Sequence, residues 1–363
     1  MIKIFIIVGT RPEAIKMVRL YKCLDSDQRF NPILISTGQH KEMLEQVFDW
    51  FELKPSVDLK VMRPNQTLSG VLTRSIVGLD ALITKFEPDV IVAQGDTTTV
   101  MASALSAFNR QILFGHVEAG LRTYDLASPF PEEGFRQMAS RVARWHFAPT
   151  ERSAEALRQE NLHGEIHIVG NTVIDALMET AAKEPDSGVI FRKGSLCLIT
   201  GHRRENHGQK FRDAFGALAK LAMAHPEVDF VYPVHLNPKV RDIAHEILEG
   251  VDNLQLIAPV PYPQMVSLMK EAKLIITDSG GIQEEAPSFD APVLVMRDFT
   301  ERQEAVDSGL ARLVGTDPER LFTEASYLLS NTDARREMTS SVNPFGDGKS
   351  SQRIADIIAS SFL

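Results

Sequence analysis

Cysteine is nearly absent. Cys23 and Cys197 are the only two in 363 residues, they lie far apart, and neither has metal-like spacing. A disulfide framework and a zinc site are therefore not expected, and a reduced, cytoplasmic protein fits best. Long apolar runs are missing too: none approaches the roughly 20 residues of a membrane span. The apolar start, Met1 to Val8, runs straight into Gly9-Thr-Arg-Pro12. It reads as a first strand entering a loop rather than as a signal peptide. Positive charge does not predominate. The 39 Lys and Arg are outnumbered by 48 Asp and Glu, and the net charge of -9 argues against nonspecific nucleic-acid binding. No Gly-x-Gly-x-x-Gly follows the first strand, so a nicotinamide site of the Rossmann kind is unsupported. No Walker sequence and no metal-ligand cluster is evident.

What is present is a soluble, globular composition, 44% hydrophobic and 24% charged, in a chain long enough for two domains. Short β-rich runs alternate with helical patterns from end to end. Strand candidates are Lys3–Val8, Ile33–Ser36, Val90–Ala93, Ile112–His116, His146–Ala148 and Ile166–Val169. They continue with Leu196–Thr200, Phe230–Pro233, Leu254–Ile257, Leu274–Thr277, Val293–Met296 and Arg312–Val314. The clearest helix runs from Leu68 to Phe86, with apolar residues at three- and four-residue steps. This alternation predicts an α/β protein with two doubly wound, mostly parallel, Rossmann-like domains facing a central cleft. The expected division is 1–169, 170–345 and a C-terminal helix, 346–363, that packs back on the first domain.

The stretch Thr277-Asp-Ser-Gly-Gly-Ile-Gln-Glu-Glu-Ala-Pro287 organises the rest. A buried strand, a Gly-Gly turn and a helix start near Ile282 together suit an anion, because free N–H groups and the helix dipole both favour one. Two carboxylates, Glu284 and Glu285, follow just inside the helix. They would repel a phosphate beside them, so one of them is better used on ribose hydroxyls. That combination suggests a nucleoside diphosphate. The plainer alternative is an ordinary βα turn with both glutamates solvated.

Ligands of doubly wound sheets bind beyond the carboxyl ends of the strands, so the residues that follow strands directly carry the functional question. After Val8, Arg11 and Lys16 flank a helix start where the dipole disfavours cations, which suggests a phosphate. The alternative pairs Arg11 with Glu13. After Ala93 comes Asp96, either a reactive carboxylate or an N-cap. After Phe114 comes Glu118, costly at a strand end unless used or paired, with His116 and Arg122 as candidate partners. Glu132 starts a helix after a Pro-rich loop, with Glu133 beside it. After Thr200, His202, Arg203 and Arg204 are suited to neutralise a pyrophosphate or donate a proton to it, or else form a basic turn paired by Glu205. His235 ends another strand, where a satisfied loop histidine is the default. Arg302 is one further cation. A phosphate-holding wall facing Asp96, Glu118 and Glu132 points to proton-transfer chemistry on a nucleotide-linked substrate.

Assembled in order, these stretches resemble the non-hydrolysing UDP-N-acetylglucosamine 2-epimerases of bacteria. The resemblance runs through Gly9-Thr-Arg-Pro-Glu-Ala-Ile-Lys16, Thr37-Gly-Gln-His40, Gln94-Gly-Asp-Thr-Thr-Thr99 and His116-Val-Glu-Ala-Gly-Leu-Arg-Thr123. It continues in Pro129-Phe-Pro-Glu-Glu133, His202-Arg-Arg-Glu-Asn206, Tyr232-Pro-Val-His-Leu-Asn-Pro238, Asp278 to Pro287 and Asn343-Pro-Phe-Gly-Asp-Gly348. It implies a GT-B-type fold, a homodimer, and reversible 2-epimerisation of UDP-GlcNAc to UDP-ManNAc without nicotinamide or metal. By motif match it makes Asp96, Glu118, Glu132 and His202 the catalytic candidates. Arg11, Lys16, His202, Ser279, Gly280, Gly281, Glu285 and Arg302 become UDP contacts. Gln39, His40, Gln66, Arg203 and His235 match the pocket where this family often binds a second UDP-GlcNAc as an activator. The chain departs from the family pattern at Arg19 and Gln303, where prolines are usual. It also departs at Phe135, where asparagine is usual, and at Met265, where an aromatic often lies near the uracil. A hydrolysing relative, a GT-B glycosyltransferase and a catalytically silent UDP-sugar sensor are the competing readings.

Overall fold

The computed structural model describes residues 1–39, 41–203 and 206–362. It divides into two compact units, Met1–Met178 with Phe345–Leu363, and Glu179–Pro344. Among the described residues no helix is long and apolar enough to cross a membrane.

The first unit runs β1 (Ile2–Val8), α1 (Arg11–Asp25), β2 (Phe30–Ser36), α2 (Lys41–Trp50), β3 (Val57–Asp58), α3 (Leu68–Phe86) and β4 (Val90–Gln94). Then come α4 (Thr98–Asn109), β5 (Leu113–Val117), α5 (Glu132–Ser140), β6 (Trp145–Ala148), α6 (Glu151–Gln159), β7 (Glu165–Ile168) and α7 (Thr172–Ala182). Its seven strands form one sheet in the order β3-β2-β1-β4-β5-β6-β7, each neighbouring pair parallel. β1 and β4 are buried on both faces, which is why they read as unbroken apolar runs rather than as alternating ones.

The second unit continues with β8 (Leu196–Thr200), α8 (Gln209–Ala224), β9 (Asp229–Pro233), α9 (Pro238–Leu248), β10 (Leu254–Ile257), α10 (Tyr262–Glu271) and β11 (Ala272–Thr277). It closes with α11 (Gly280–Glu285), a 3-10 turn (Ala286–Phe289), β12 (Val293–Val295), α12 (Gln303–Asp307), β13 (Ala311–Leu313), α13 (Pro318–Ser330) and α14 (Thr332–Met338). Its six strands are ordered β10-β9-β8-β11-β12-β13, again parallel throughout. The core beneath α8 is aromatic: Phe211 stacks on Phe215 at 5.1 Å, and Phe215 meets Tyr232 at 5.7 Å.

The last helix, α15 (Ser350–Ser360), belongs to the first unit and packs on α1. Its buried face carries Ile354, Ala355, Ile358 and Ala359, and Asp356 pairs with Arg29 at 2.7 Å. Asp175 on α7 accepts the Ser350 and Ser351 N–H groups at 3.1 and 2.7 Å. That tie holds the first part of α7 to the unit begun at Met1. The division therefore falls between Met178 and Glu179, later than the Gly170 region where the sequence places it.

In each sheet the strand order reverses once, between β1 and β4 in the first and between β8 and β11 in the second. Such reversals leave a crevice at the carboxyl ends of the two central strands. The loops that leave those strands carry Asp96, His202 and Ser279, and Arg11 opens the helix after β1.

Candidate active site

At the first reversal the backbone must pass close to its neighbours. A Cβ on Gly9 would lie 2.1 Å from Thr99 Oγ1 and 2.5 Å from Thr37 Oγ1, so only glycine fits between these two hydroxyls, themselves 2.9 Å apart. The turn after Gly9 is fixed by Glu13, whose carboxylate accepts the Gly9 and Thr10 N–H groups at 2.6 and 3.2 Å. Burial raises this carboxyl to about 7. Arg11 accordingly does not pair with Glu13. Among the described residues it makes no ion pair.

Asp96 is no N-cap. Thr97 caps α4 instead, and Asp96 Oδ2 receives Arg136 Nη2 at 2.6 Å. The turn before it is held by His116, whose Nε2–H donates to the Gly95 carbonyl at 2.7 Å. This ring is fully buried, and burial pushes it down to about 3. His116 is thus a neutral structural donor and not a partner of Glu118. Nor is Arg122, which forks onto Glu160 at 2.6 and 3.1 Å.

The partners of Glu118 are Lys16 and the Gln94 side-chain amide, 2.8 Å away. Glu118 follows β5 in a left-handed conformation, φ +61°. A non-glycine residue held there stores strain, as residues at working sites often do. Glu132, the first residue of α5, is half-buried and has no hydrogen-bond or ion-pair partner among the described residues. Its neighbour Glu133 is fully buried and accepts the Thr123 and Tyr124 N–H groups at 3.0 and 3.1 Å, tying the incoming loop to α5. Gln39 is half-buried with its Oε1 unpartnered. Gln66 accepts from the Arg63 N–H at 3.0 Å and from Arg74.

The second reversal is built around Asp278, which is fully buried. It accepts the His202 N–H at 2.9 Å and the Arg203 N–H at 2.9 Å, and lies 3.3 Å from His202 Nδ1. One carboxylate thus holds the backbone at His202 and Arg203. Thr200 and Thr277, at the ends of the two central strands, share a 2.5 Å hydrogen bond. The His202 ring stacks on His235 at 5.4 Å, whose Nδ1 accepts the Asn237 N–H at 3.1 Å. His40, Arg204 and Glu205 lie outside the described residues.

The helix after Ser279 begins at Gly280, two residues before Ile282, where the sequence suggests it starts. Neither glutamate of α11 is solvated. Glu284 pairs with Arg302 Nε at 2.7 Å, and Glu285 accepts the Tyr262 hydroxyl at 3.0 Å. A Cβ on Gly280 would lie 3.3 Å from Arg302 Cζ and 3.5 Å from Arg203 Nη2. Two guanidinium groups therefore share one side of the glycine turn. Glu284 offsets the charge of Arg302, whereas Arg203 Nε is buried without a partner, so the turn keeps positive charge on that side. The chemistry this arrangement supports is the binding of an oxyanion.

Three residues that shape the site are not singled out by sequence. Asp278 does follow a strand directly, a signal that could have found it. Arg136 and Tyr262 act through partners distant in the chain, and no local pattern marks them.

A family model described as UDP-N-acetylglucosamine 2-epimerase matches residues 22–359. The UDP-N-acetylglucosamine 2-epimerase of Yersinia pestis is 48% identical over 364 residues, covering 97% of each chain. That of Escherichia coli K12 is 46% identical over 371 residues, covering 98% of each. The crystal structure of UDP-GlcNAc 2-epimerase from Neisseria meningitidis bound to UDP-GlcNAc superposes with a TM-score of 0.90. It is 40% identical, covering 99% of this chain and 100% of that one.

Proposed function

The chain belongs to the UDP-N-acetylglucosamine 2-epimerase family of isomerases, and from that membership we propose that it interconverts UDP-GlcNAc and UDP-ManNAc without hydrolysis. The hydrogen on C2 is not next to a carbonyl, so its direct removal is hard. Breaking the C1–O bond to UDP while a base takes the C2 proton leaves a double bond between C1 and C2, in 2-acetamidoglucal. UDP then adds back to C1 and a proton arrives on the opposite face of C2. The sequence requires UDP to be held throughout, and acid/base groups on both faces of the sugar.

The observation that carries this reading is the convergence of Arg203 and Arg302 on Gly280, a cradle suited to the departing diphosphate. In this reading Ser279, Gly280, Gly281, His202 and Arg302 hold the phosphates, Glu285 holds the ribose, and Arg11 and Lys16 add positive charge. Asp96, Glu118 and Glu132 are the acid/base groups. Gln39, His40, Gln66 and His235 bind a second, activating UDP-GlcNAc, with Arg203 shared between the two nucleotides. The protein works as a cytoplasmic homodimer that supplies precursors of bacterial surface polysaccharide.

Incubation with UDP-GlcNAc in heavy water, followed by proton NMR, tests the reading. Deuterium at C2 in a mixture of UDP-GlcNAc and UDP-ManNAc is the expected result. Free ManNAc with UDP would move the assignment to the hydrolysing type. Absence of both exchange and product, from folded protein that binds UDP, would overturn it.

A further inference from the structure

Glu285 ends a short helix with only 8% of its surface exposed. A carboxylate so placed is costly unless donors meet it. One donor comes from another element: Tyr262, the first residue of α10, gives its hydroxyl to Oε2 at 3.0 Å. The other oxygen, Oε1, lies on the side of the glycine turn, 3.6 Å from where a Gly281 Cβ would sit. Tyr262 thus decides which carboxylate oxygen faces the turn. Burial, reinforced by the neighbouring Glu285 charge, raises the phenol well above its ordinary value. It therefore remains a donor throughout the working pH range.

We propose that Tyr262 is a positioning residue that locks the Glu285 carboxylate in the orientation that selects ribonucleotides over deoxyribonucleotides. The inference rests on the reading of Glu285 as the ribose contact. A carboxylate accepts well from two vicinal hydroxyls only when its plane is fixed. A terminal sp³–sp² torsion such as Glu χ3 is otherwise broad. The phenol hydroxyl supplies that constraint before the nucleotide arrives, so the ordering cost is not met on binding.

The test is binding of UDP, 2′-deoxy-UDP and 3′-deoxy-UDP to the full-length protein and to its Tyr262→Phe, Glu285→Gln and doubly substituted forms, by calorimetry. Phenylalanine keeps the ring and its packing, and thermal unfolding of each variant checks the fold. The wild type should prefer UDP over the deoxy forms by roughly tenfold or more. Tyr262→Phe should weaken UDP by roughly three- to tenfold while scarcely moving the deoxy forms, which compresses the preference. The double variant should be no worse than Glu285→Gln alone, because the two residues act as one unit. Equal weakening of all three nucleotides by Tyr262→Phe, or no weakening, would overturn the positioning role while leaving Glu285 as the ribose contact. A wild type indifferent to both deoxy forms, with Glu285→Gln binding UDP normally, would remove the ribose contact itself.

Discussion

Arg136 bridges two carboxylates, with Nη2 2.6 Å from Asp96 Oδ2 and Nη1 3.3 Å from Glu133 Oε2. It lies on the buried side of α5 with 8% of its surface exposed. An acid/base candidate on one loop is thereby fixed to the helix that presents another, Glu132.

Lysine at this position could meet one carboxylate but not both, because its ammonium is a single point on a flexible stem. Arg136→Lys should lower kcat roughly tenfold and Arg136→Met further, toward a hundredfold, with KM for UDP-GlcNAc nearly unchanged. Steady-state kinetics decide it. Wild-type turnover in Arg136→Lys would show that the bridge has no bearing on the chemistry.

Gly280 has no left-handed φ, so alanine there causes no backbone strain. The added methyl would instead press on the Arg302 guanidinium, 3.3 Å away, and touch that of Arg203. Gly280→Ala should keep the melting temperature and weaken UDP about tenfold or more. Titration with UDP and with uridine separates the terms: uridine, which lacks phosphate, should be unaffected.

Asp278 is the hub of the turn that bears His202. Asparagine can keep both backbone N–H groups on one oxygen, since each lies 2.9 Å from Oδ2, but it removes the buried charge that strengthens those bonds and turns an NH2 toward the His202 N–H, 3.1 Å from Oδ1. Asp278→Asn should destabilise the protein by about 2–4 kcal/mol, measured as a shift in the urea midpoint, and should weaken UDP binding. An unchanged midpoint would contradict the hub.

Two buried groups give opposite slopes to stability against pH. Glu13 goes from an ordinary value of 4.5 to about 7 on folding. Its contribution is fully present below pH 4.5 and is lost as pH rises toward 7. His116 goes from 6.5 down to about 3. Its contribution is present above pH 6.5 and is lost as pH falls toward 3. Relative to the wild type, Glu13→Gln should therefore gain in melting temperature as pH rises through that window. His116→Gln should gain as pH falls. Parallel pH curves for the three proteins would contradict both assignments.

Local pattern made much of this molecule legible. The 3.6-residue spacing from Leu68 to Phe86 coincides with α3, and the β-rich runs Leu196–Thr200 and Leu254–Ile257 coincide with β8 and β10. β3, at two residues, is too short to show a period. α11 begins on Gly280 and Gly281, residues of poor helix propensity, so the sequence points to a later start. The partners of the site residues were hidden for a different reason. Lys16 meets Glu118, Arg136 meets Asp96 and Asp278 meets His202 across stretches that only the parallel crossovers bring together. Near neighbours such as Arg122 and Glu13 were the natural guesses for Glu118 and Arg11, and the fold uses both elsewhere.

The return of residues 345–362 to the unit begun at Met1 has a consequence for biosynthesis. The whole of Glu179–Pro344 is translated before α15. The later-translated unit can thus finish folding first, while α1 still lacks the helix that covers it. Until Ile354 and Ile358 are in place, the first unit presents bare apolar surface on α1.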